Sequence, residues 1–438
     1  MRSKDRFMDE YKNYESLIEK YVGKNIDTIL KEQYSFIRYP FIDPGSVYKG
    51  NVWDWDSYWS VYALFDYMNR KDDPCLSKRV IEHAKGNVLN FLDHQLEDGY
   101  IPMMIEVRSE KEQEPYLNQK HKEGVLMNMH KPFLCQQIVL ISEYIEDYEW
   151  IQFAQNQLEL YFDCYNKNYF KDRSGLYVWC DDIMIGMDND PASFGRPKFS
   201  TANIFLNSFM VMELDSMVKI LTHMGNKQDS VKYLEQKNAL IRSILEECWD
   251  PRDQFFYSVD VDIKTRKYDW FHQGLGAFWK TIPIRIRTWS GFLPMYAGFA
   301  SAEQAEAMRK SYLDKSLFPS PYGVTTLAKN EKMFDLSATN NPSNWLGPIW
   351  VVANYIVFRA MMNYGYRREA EEICRNTLML LGADLDESGT LHEYYDPFSG
   401  HPIMNGGFLN WNILSLNMCR ELKETEKTEN VKDYRSQM

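Results

Sequence analysis

Two kinds of helical segment alternate along this chain, and no other feature narrows its fold as much. The first kind is apolar nearly all the way round: SYWSVYALFDYM (57–68), PFLCQQIVLISEYI (132–145), ANIFLNSFMVMELDSM (202–217), GPIWVVANYIVFRAMM (347–362) and FLNWNILSLNM (408–418). A helix without a polar face has to be covered on every side. The second kind is amphipathic. Ile81, Ala84, Val88, Phe91 and Leu92 recur at helical spacing, as do Trp150, Phe153, Ala154, Leu158, Tyr161 and Phe162. Val231, Leu234, Leu240 and Ile244 form another such set, and Ala370, Ile373, Cys374, Leu378 and Leu381 a further one. SGFLPMYAGF (290–299) followed by AEQAEAMRKSYL (302–313) adds a weaker pair, for about six pairs in all.

An inner ring of buried helices wrapped by an outer amphipathic ring produces this alternation. The expected fold is therefore all-α, a six-hairpin toroid in one domain, against the alternative of an irregular helical bundle. No motif repeats at a fixed period, which argues against a solenoid. Short β-hairpins are expected in loops, at 175–180, 253–262 and 391–403. The expected organisation is an N-terminal helical extension over 1–40 packed on the barrel, the barrel over 41–425, and a polar tail over 426–438. The polar stretch 106–124 reads as a loop, either a lid or a solvated excursion.

Composition removes several classes of function. The 438 residues carry 50 Lys and Arg against 62 Asp and Glu, a net charge of −12 that repels phosphates, so no nucleic-acid partner is expected. Mean hydropathy is −0.49 and no run of 18 apolar residues occurs, so no membrane span is expected. The N-terminal stretch MRSKDRFMDEYKNYESLIEKY has no apolar signal core, and the seven cysteines include no CxxC pair. Reduced thiols and a cytoplasmic location fit best. The histidines show no HxxxH or HExxH spacing, GLGAFW (274–279) lacks the third glycine of a dinucleotide loop, and no GK[ST] or GxSxG occurs. Neither a metal nor a cofactor is expected.

The unusual residue clusters fall just before the buried helices. They are PFIDPGSVYKGNVWDWDSYW (40–59), NMHKPF (128–133), IGMDNDPASFGRPKFS (185–200), NNPSNWLGPIW (340–350) and LHEYYDPFSGHPIMNGGFLNWN (391–412). In a ring of parallel helices these loops open at one end and converge. Their Trp, Tyr, Asp, Glu and Asn residues suit a small carbohydrate: aromatic faces cover C–H surfaces while carboxylates and amides bind hydroxyls. Asp188 and Glu393 are the best pair of carboxylates for glycoside hydrolysis. Each is also a plausible turn or capping residue. Trp55 and Asp56 are the first choices for sugar contacts, with Tyr48, Trp53, Asp54 and Trp59 behind them; core packing or helix capping competes for these. Asn344, Trp345, Trp411, His130 with Lys131, and His272 with Gln273 are further candidates for substrate binding, and a satisfied structural role competes for the two histidine pairs. Arg196 and Lys198 are either an aglycone-carboxylate site or an ordinary surface pair.

Four pieces, in order, also carry a resemblance. WDWDSYW, GMDNDP, NPSNWLGPIW and HEYYDP followed by GFLNWN resemble the catalytic domain of glycoside hydrolase family 63, in its short mannosylglycerate and glucosylglycerate hydrolase form, and more distantly the trehalases of family 37. The resemblance spans 40–412. It implies an (α/α)6 barrel, inversion at the anomeric carbon, Asp188 as general acid and Glu393 as general base. It also implies a −1 sugar held at Trp55 and Asp56 and a subsite tryptophan at Trp345. Asp190-Pro191 departs from the serine-proline or serine-arginine usual after the acid, which leaves the substrate open between an α-glucoside and an α-mannoside. A trehalase-like hydrolase is the alternative within the same chemistry. An epimerase working through paired histidines, or a non-catalytic sugar-binding toroid, is the alternative outside it.

Overall fold

The computed structural model describes residues 2–106, 128–181, 185–263, 279–337 and 343–436, with side chains described from 13 to 425. Twelve helices lie among these residues: α1 (Arg2–Asn25), α2 (Asp54–Met68), α3 (Pro74–Asp93), α4 (Leu134–Ile145), α5 (Gln155–Asn168), α6 (Ile204–His223), α7 (Lys227–Glu247), α8 (Leu293–Tyr296), α9 (Ala302–Leu313), α10 (Val351–Asn363), α11 (Arg367–Ser388) and α12 (Leu414–Ser436). The all-round-apolar segments became the even-numbered helices. These pack side by side in a closed ring, α2 on α4, α4 on α6, α6 on α8, α8 on α10, α10 on α12 and α12 back on α2. Their burial is what their composition demands: fourteen of the fifteen residues of α2 and all but three of α10 are buried. Trp59 at the centre of α2 is 0% exposed, and truncating such a side chain to Ala costs about 3–5 kcal/mol.

The odd-numbered helices form the outer layer. α3 lies on α2 and α4, α7 on α6, and α11 on α10 and α12. α1 packs against α11 and α12, burying Ile18 and Val22, and so occupies the place of a sixth outer helix. The six hairpins therefore run outer to inner. Local signals set the boundaries. Asp73 accepts from Leu76 N at 3.0 Å ahead of Pro74 to start α3. Ser301 and Gln304 exchange a capping box at α9. α12 continues through the stretch expected as a polar tail as far as Ser436.

Three details differ from the expected pattern. Phe153 is 64% exposed because Glu149–Ala154 is a 3₁₀ segment, whose three residues per turn rotate it off the face carrying Ile151 and Ala154. Val231 and Leu234 are also exposed. The inward stripe of α7 is Ser230, Tyr233, Leu240 and Ile244, and those two residues stand one position out of phase with it. The weak segment 290–299 forms a 3₁₀ turn, Trp289–Phe292, and a single α turn.

The expected hairpins are present as two- or three-residue ladders. Phe170–Lys171 pairs with Leu176–Tyr177, Trp249–Asp250 with Phe255–Phe256, and Tyr394–Tyr395 with Pro402–Met404. Val259–Asp260 is the middle strand between Thr201–Ala202 and Ile282–Pro283. All seven cysteines are free, and no helix among the described residues is long and apolar enough to cross a membrane.

Candidate active site

The loops entering the inner helices meet at one end and lace together into a circle. At α2 the buried Asp54 carboxylate accepts from Lys131 Nζ at 2.8 Å and from Lys131 N at 2.7 Å, tying the NMHKPF loop to the first turn. That turn carries two acids, Asp54 and Asp56, where the helix dipole favours negative charge. Asn128 accepts from Cys180 N at 2.7 Å, joining the same loop to the segment before Asp188. Asn189 bridges onward: its Nδ2 donates to Asn344 Oδ1 at 3.1 Å and its Oδ1 accepts from Trp345 N at 2.6 Å. Ile349 and Tyr395 exchange backbone hydrogen bonds, and Gly45 pairs with Phe408 to close the circle.

Gly186 shows why one of these loops needs a glycine. Its φ is +85°, and a Cβ there would stand 3.0 Å from Lys131 Cε and 3.2 Å from Trp55 Cε2. The bare backbone therefore presses the loop carrying Asp188 onto the Trp55 indole.

Tryptophans form one wall. Trp345 stacks on Trp350 at 4.0 Å and 14°, and Trp350 on Tyr394 at 4.7 Å and 17°. Trp55 meets Trp345 at 5.8 Å and Trp411 at 5.4 Å. The indole N–H groups of Trp53 and Trp411 are buried without a hydrogen-bond partner among the described residues, so each keeps a donor to offer.

Glu393 stands beside this wall, 2% exposed. Tyr48 donates its phenol to Oε1 at 2.9 Å, and Asn405 donates Nδ2 to Oε2. Burial pushes the Glu393 carboxyl up to about 7, with Asp188 adding to the rise and the Asn405 and Tyr48 hydrogen bonds opposing it. Asp56 is pushed well above the usual carboxylate range by burial, against the nearby Lys131 charge; it feels both Asp54 and Glu393, and it accepts from Asn410 Nδ2. Tyr48 is raised by burial first and then by Glu393, Asp56 and Asp188. Tyr48, Asp56, Asp188 and Glu393 thus form one electrostatic group drawn from three loops. Asp190, two residues beyond Asp188, is raised by burial to about 6 and accepts from Asn203 at 3.0 Å.

The structure places the remaining candidates as follows. His130 is 0% exposed and wedged edge-on against Phe91 at 4.5 Å, its Nδ1–H donating to Lys131 O at 2.6 Å; burial lowers it to about 4, so the ring is neutral. The Asn344 amide is committed within its own loops, accepting from Asn189 and Leu346 N and donating to Asp335 O. Arg196 is engaged by Asp260 and Thr201, and Lys198 by Asp181 at 3.4 Å, which is the ordinary-pair reading of both. His272 and Gln273 lie outside the described residues, as does nearly all of 106–124.

Sequence reasoning missed Asn405, Asn410, Asn189 and Trp350. An Asn ahead of Gly-Gly, as in MNGG, signals a turn and nothing about a carboxylate twelve residues earlier. Lys131 was visible as a candidate ligand contact, but its engagement with Asp54 spans 77 residues and has no local signature.

Known proteins resemble this chain in sequence and in fold. The profile of a family described as the mannosylglycerate hydrolase MGH1-like glycoside hydrolase domain matches residues 49–411. A probable mannosyl-oligosaccharide glucosidase of Schizosaccharomyces pombe is 23% identical over 292 residues, 63% of this chain and 34% of that protein. The chain spans about a third of the length of the curated relatives it matches. Among solved structures, the family 63 mannosylglycerate hydrolase from Thermus thermophilus, in complex with glucose, superposes with a TM-score of 0.66 at 17% identity, covering 90% of this chain and 98% of that one. Neutral trehalase Nth1 from Saccharomyces cerevisiae superposes at 0.58 and 13% identity, covering 88% and 73%. The toroid is thus shared with both enzymes, and the profile match across the ring of loops shows that the chain belongs to the MGH1-like glycoside hydrolase domain family.

Proposed function

We propose that the chain hydrolyses the α-glycosidic bond of a small glucoside or mannoside, a glycerate conjugate first among them, with inversion at the anomeric carbon. The observation that carries this reading is the grouping of Asp188 and Glu393. One is half-buried and the other buried; each feels the other's charge, beside a wall of tryptophans. Asp188 protonates the leaving oxygen, and Glu393, ionised, takes a proton from the attacking water. Trp55, Trp345 and Trp411 supply the apolar surface for the sugar, and Asp56 and the Trp53 and Trp411 N–H groups meet its hydroxyls.

The two carboxyls titrate as a pair. In the productive one-proton state Asp188 holds the proton, so its charge no longer adds to the rise of Glu393, while the Asn405 and Tyr48 hydrogen bonds favour the ionised carboxylate against burial. The small substrate and the seven free thiols favour action in the cytoplasm. Among the described residues, His130 is bonded through Nδ1 to the Lys131 carbonyl and His392 through Nδ1 to Asp384 at 2.9 Å, which weighs against a histidine-paired epimerase.

α-Glycosyl fluorides separate the two roles, because fluoride leaves with little need of an acid. Asp188→Asn should lose most hydrolysis of α-mannosylglycerate or α-glucosylglycerate while keeping much of its rate on the matching α-fluoride. Glu393→Gln should lose both. The opposite pattern would exchange the assignments, and near wild-type rates in both variants would remove the scheme.

A further inference from the structure

The general base of this reading hangs from a hairpin whose far arm ends in a residue with unusual backbone geometry. Asn405 has φ +56°, in the left-handed region, immediately after the strand Pro402–Met404. Asn is among the few non-glycine residues that adopt this region readily. The ladder to Tyr394–Tyr395 shifts register between those two tyrosines. Glu393 N donates to Met404 O at 3.1 Å, which fixes the backbone on one side of Asn405. On the other side Gly407 N donates to Leu391 O at 2.9 Å and Ser46 Oγ to Gly406 O at 2.9 Å. The last bond joins this arm to the 46–48 turn that carries Tyr48. Both arms holding the Glu393 carboxylate are therefore laced to each other as well as to the base.

We propose that Asn405 is a positioning residue for the base: clamped in the left-handed conformation, it aims its amide at Glu393 Oε2, opposite the Tyr48 phenol on Oε1. The inference rests on the assignment of Glu393 as base. Each oxygen receives one neutral donor and keeps a lone pair for the attacking water. The donors stabilise the ionised form in a place where burial opposes it. The charged and titratable groups facing Glu393 are Asp188 from the 185–190 loop, Asp56 from α2 with the Asp54–Lys131 pair behind it, Tyr48, and the adjacent Tyr394. No donor among them other than Tyr48 is hydrogen-bonded to the carboxylate, so removing Asn405 leaves Tyr48 as its one donor among the described residues.

Asn405→Gly keeps the backbone conformation and deletes the amide, and Asn405→Asp keeps the shape and replaces the donor with a like charge. The Glu393 carboxyl is followed by ¹³C NMR titration of Glu-labelled protein, its resonance identified by its loss in Glu393→Gln. Its midpoint should rise by about one to two pH units in Asn405→Gly and further in Asn405→Asp. On α-glucosyl or α-mannosyl fluoride the acid limb of kcat/KM should move in the same order, with kcat down on the order of tenfold and KM within about twofold. An unchanged midpoint in both variants overturns the role of Asn405, whatever the activity. Retained hydrolysis in Glu393→Gln instead overturns the assignment of the base, and with it the inference.

Discussion

Asp54 and Glu393 are buried carboxylates in the same circle of loops, 0% and 2% exposed, and they differ in what faces them. Asp54 has a counter-ion: the Lys131 ammonium, itself 0% exposed, together with two backbone amides. Among the described residues Glu393 has neutral donors, the phenol of Tyr48 and the amide of Asn405, and Asp188, when ionised, opposes its ionisation. A buried charge with a counter-ion is a fixed element of structure. A buried carboxyl with neutral donors exchanges its proton near neutral pH, as proton transfer in catalysis requires. The two regions therefore predict opposite consequences for the same kind of substitution.

The largest separation is expected from Glu393→Gln, which should lower kcat by about 10²–10⁴-fold. Its stability should move the other way. The folded Glu393 carboxyl lies near 7, above its ordinary value of 4.5, so the folded state holds that proton more tightly. The stability this group contributes is complete below pH 4.5 and is lost as pH rises through 7. Relative to the wild type, Glu393→Gln should gain up to about 3 kcal/mol between pH 5 and pH 8, read by denaturant titration.

Asp54→Ala should do the reverse, leaving an ammonium buried without its partner. A loss of about 3–5 kcal/mol of stability is expected, and an additional Lys131→Met should recover part of it. Wild-type stability in Asp54→Ala would show that the pair is not structural. The next effect is the pH profile. The acid limb of kcat/KM should fall near pH 7, with activity rising as pH rises, and a limb near pH 4.5 would place Glu393 outside the rate law. The smallest effect belongs to Arg196→Ala. Its partner Asp260 is partly exposed, so the change should cost less than about 1 kcal/mol and leave KM for a glycerate conjugate unaltered.

How much of this could be seen in the sequence follows from the range of the forces involved. The inner helices were legible because a helix with no polar face has one solution, and the structure starts α2, α4, α6 and α10 within a few residues of the apolar runs. Phe153 and Val231 were misplaced because periodicity assumes one helical pitch and one phase, and a 3₁₀ entry or a shifted stripe breaks both. Within the loops, residue types pointed to a sugar site, but partners did not. Lys131 beside His130 read as a ligand contact or a structural residue, and the fold shows the second, held by Asp54. Asn405 went unmarked, because its residue type ahead of Gly-Gly signals a turn and no more; its left-handed backbone is what brings the amide to Glu393. Arg196 read as an aglycone contact or an ordinary surface pair, and Asp260 from a neighbouring strand is the partner that makes it the second.

The central claim is that Asp188 and Glu393 act on a bound α-glycoside from opposite sides. Proton NMR of the anomeric signals during the first minutes of hydrolysis of α-mannosylglycerate and α-glucosylglycerate tests this most directly. Inversion predicts that the β-anomer of the released sugar appears first and that the α-anomer follows by mutarotation. Appearance of the α-anomer first, or release of no sugar from either compound, would contradict the account.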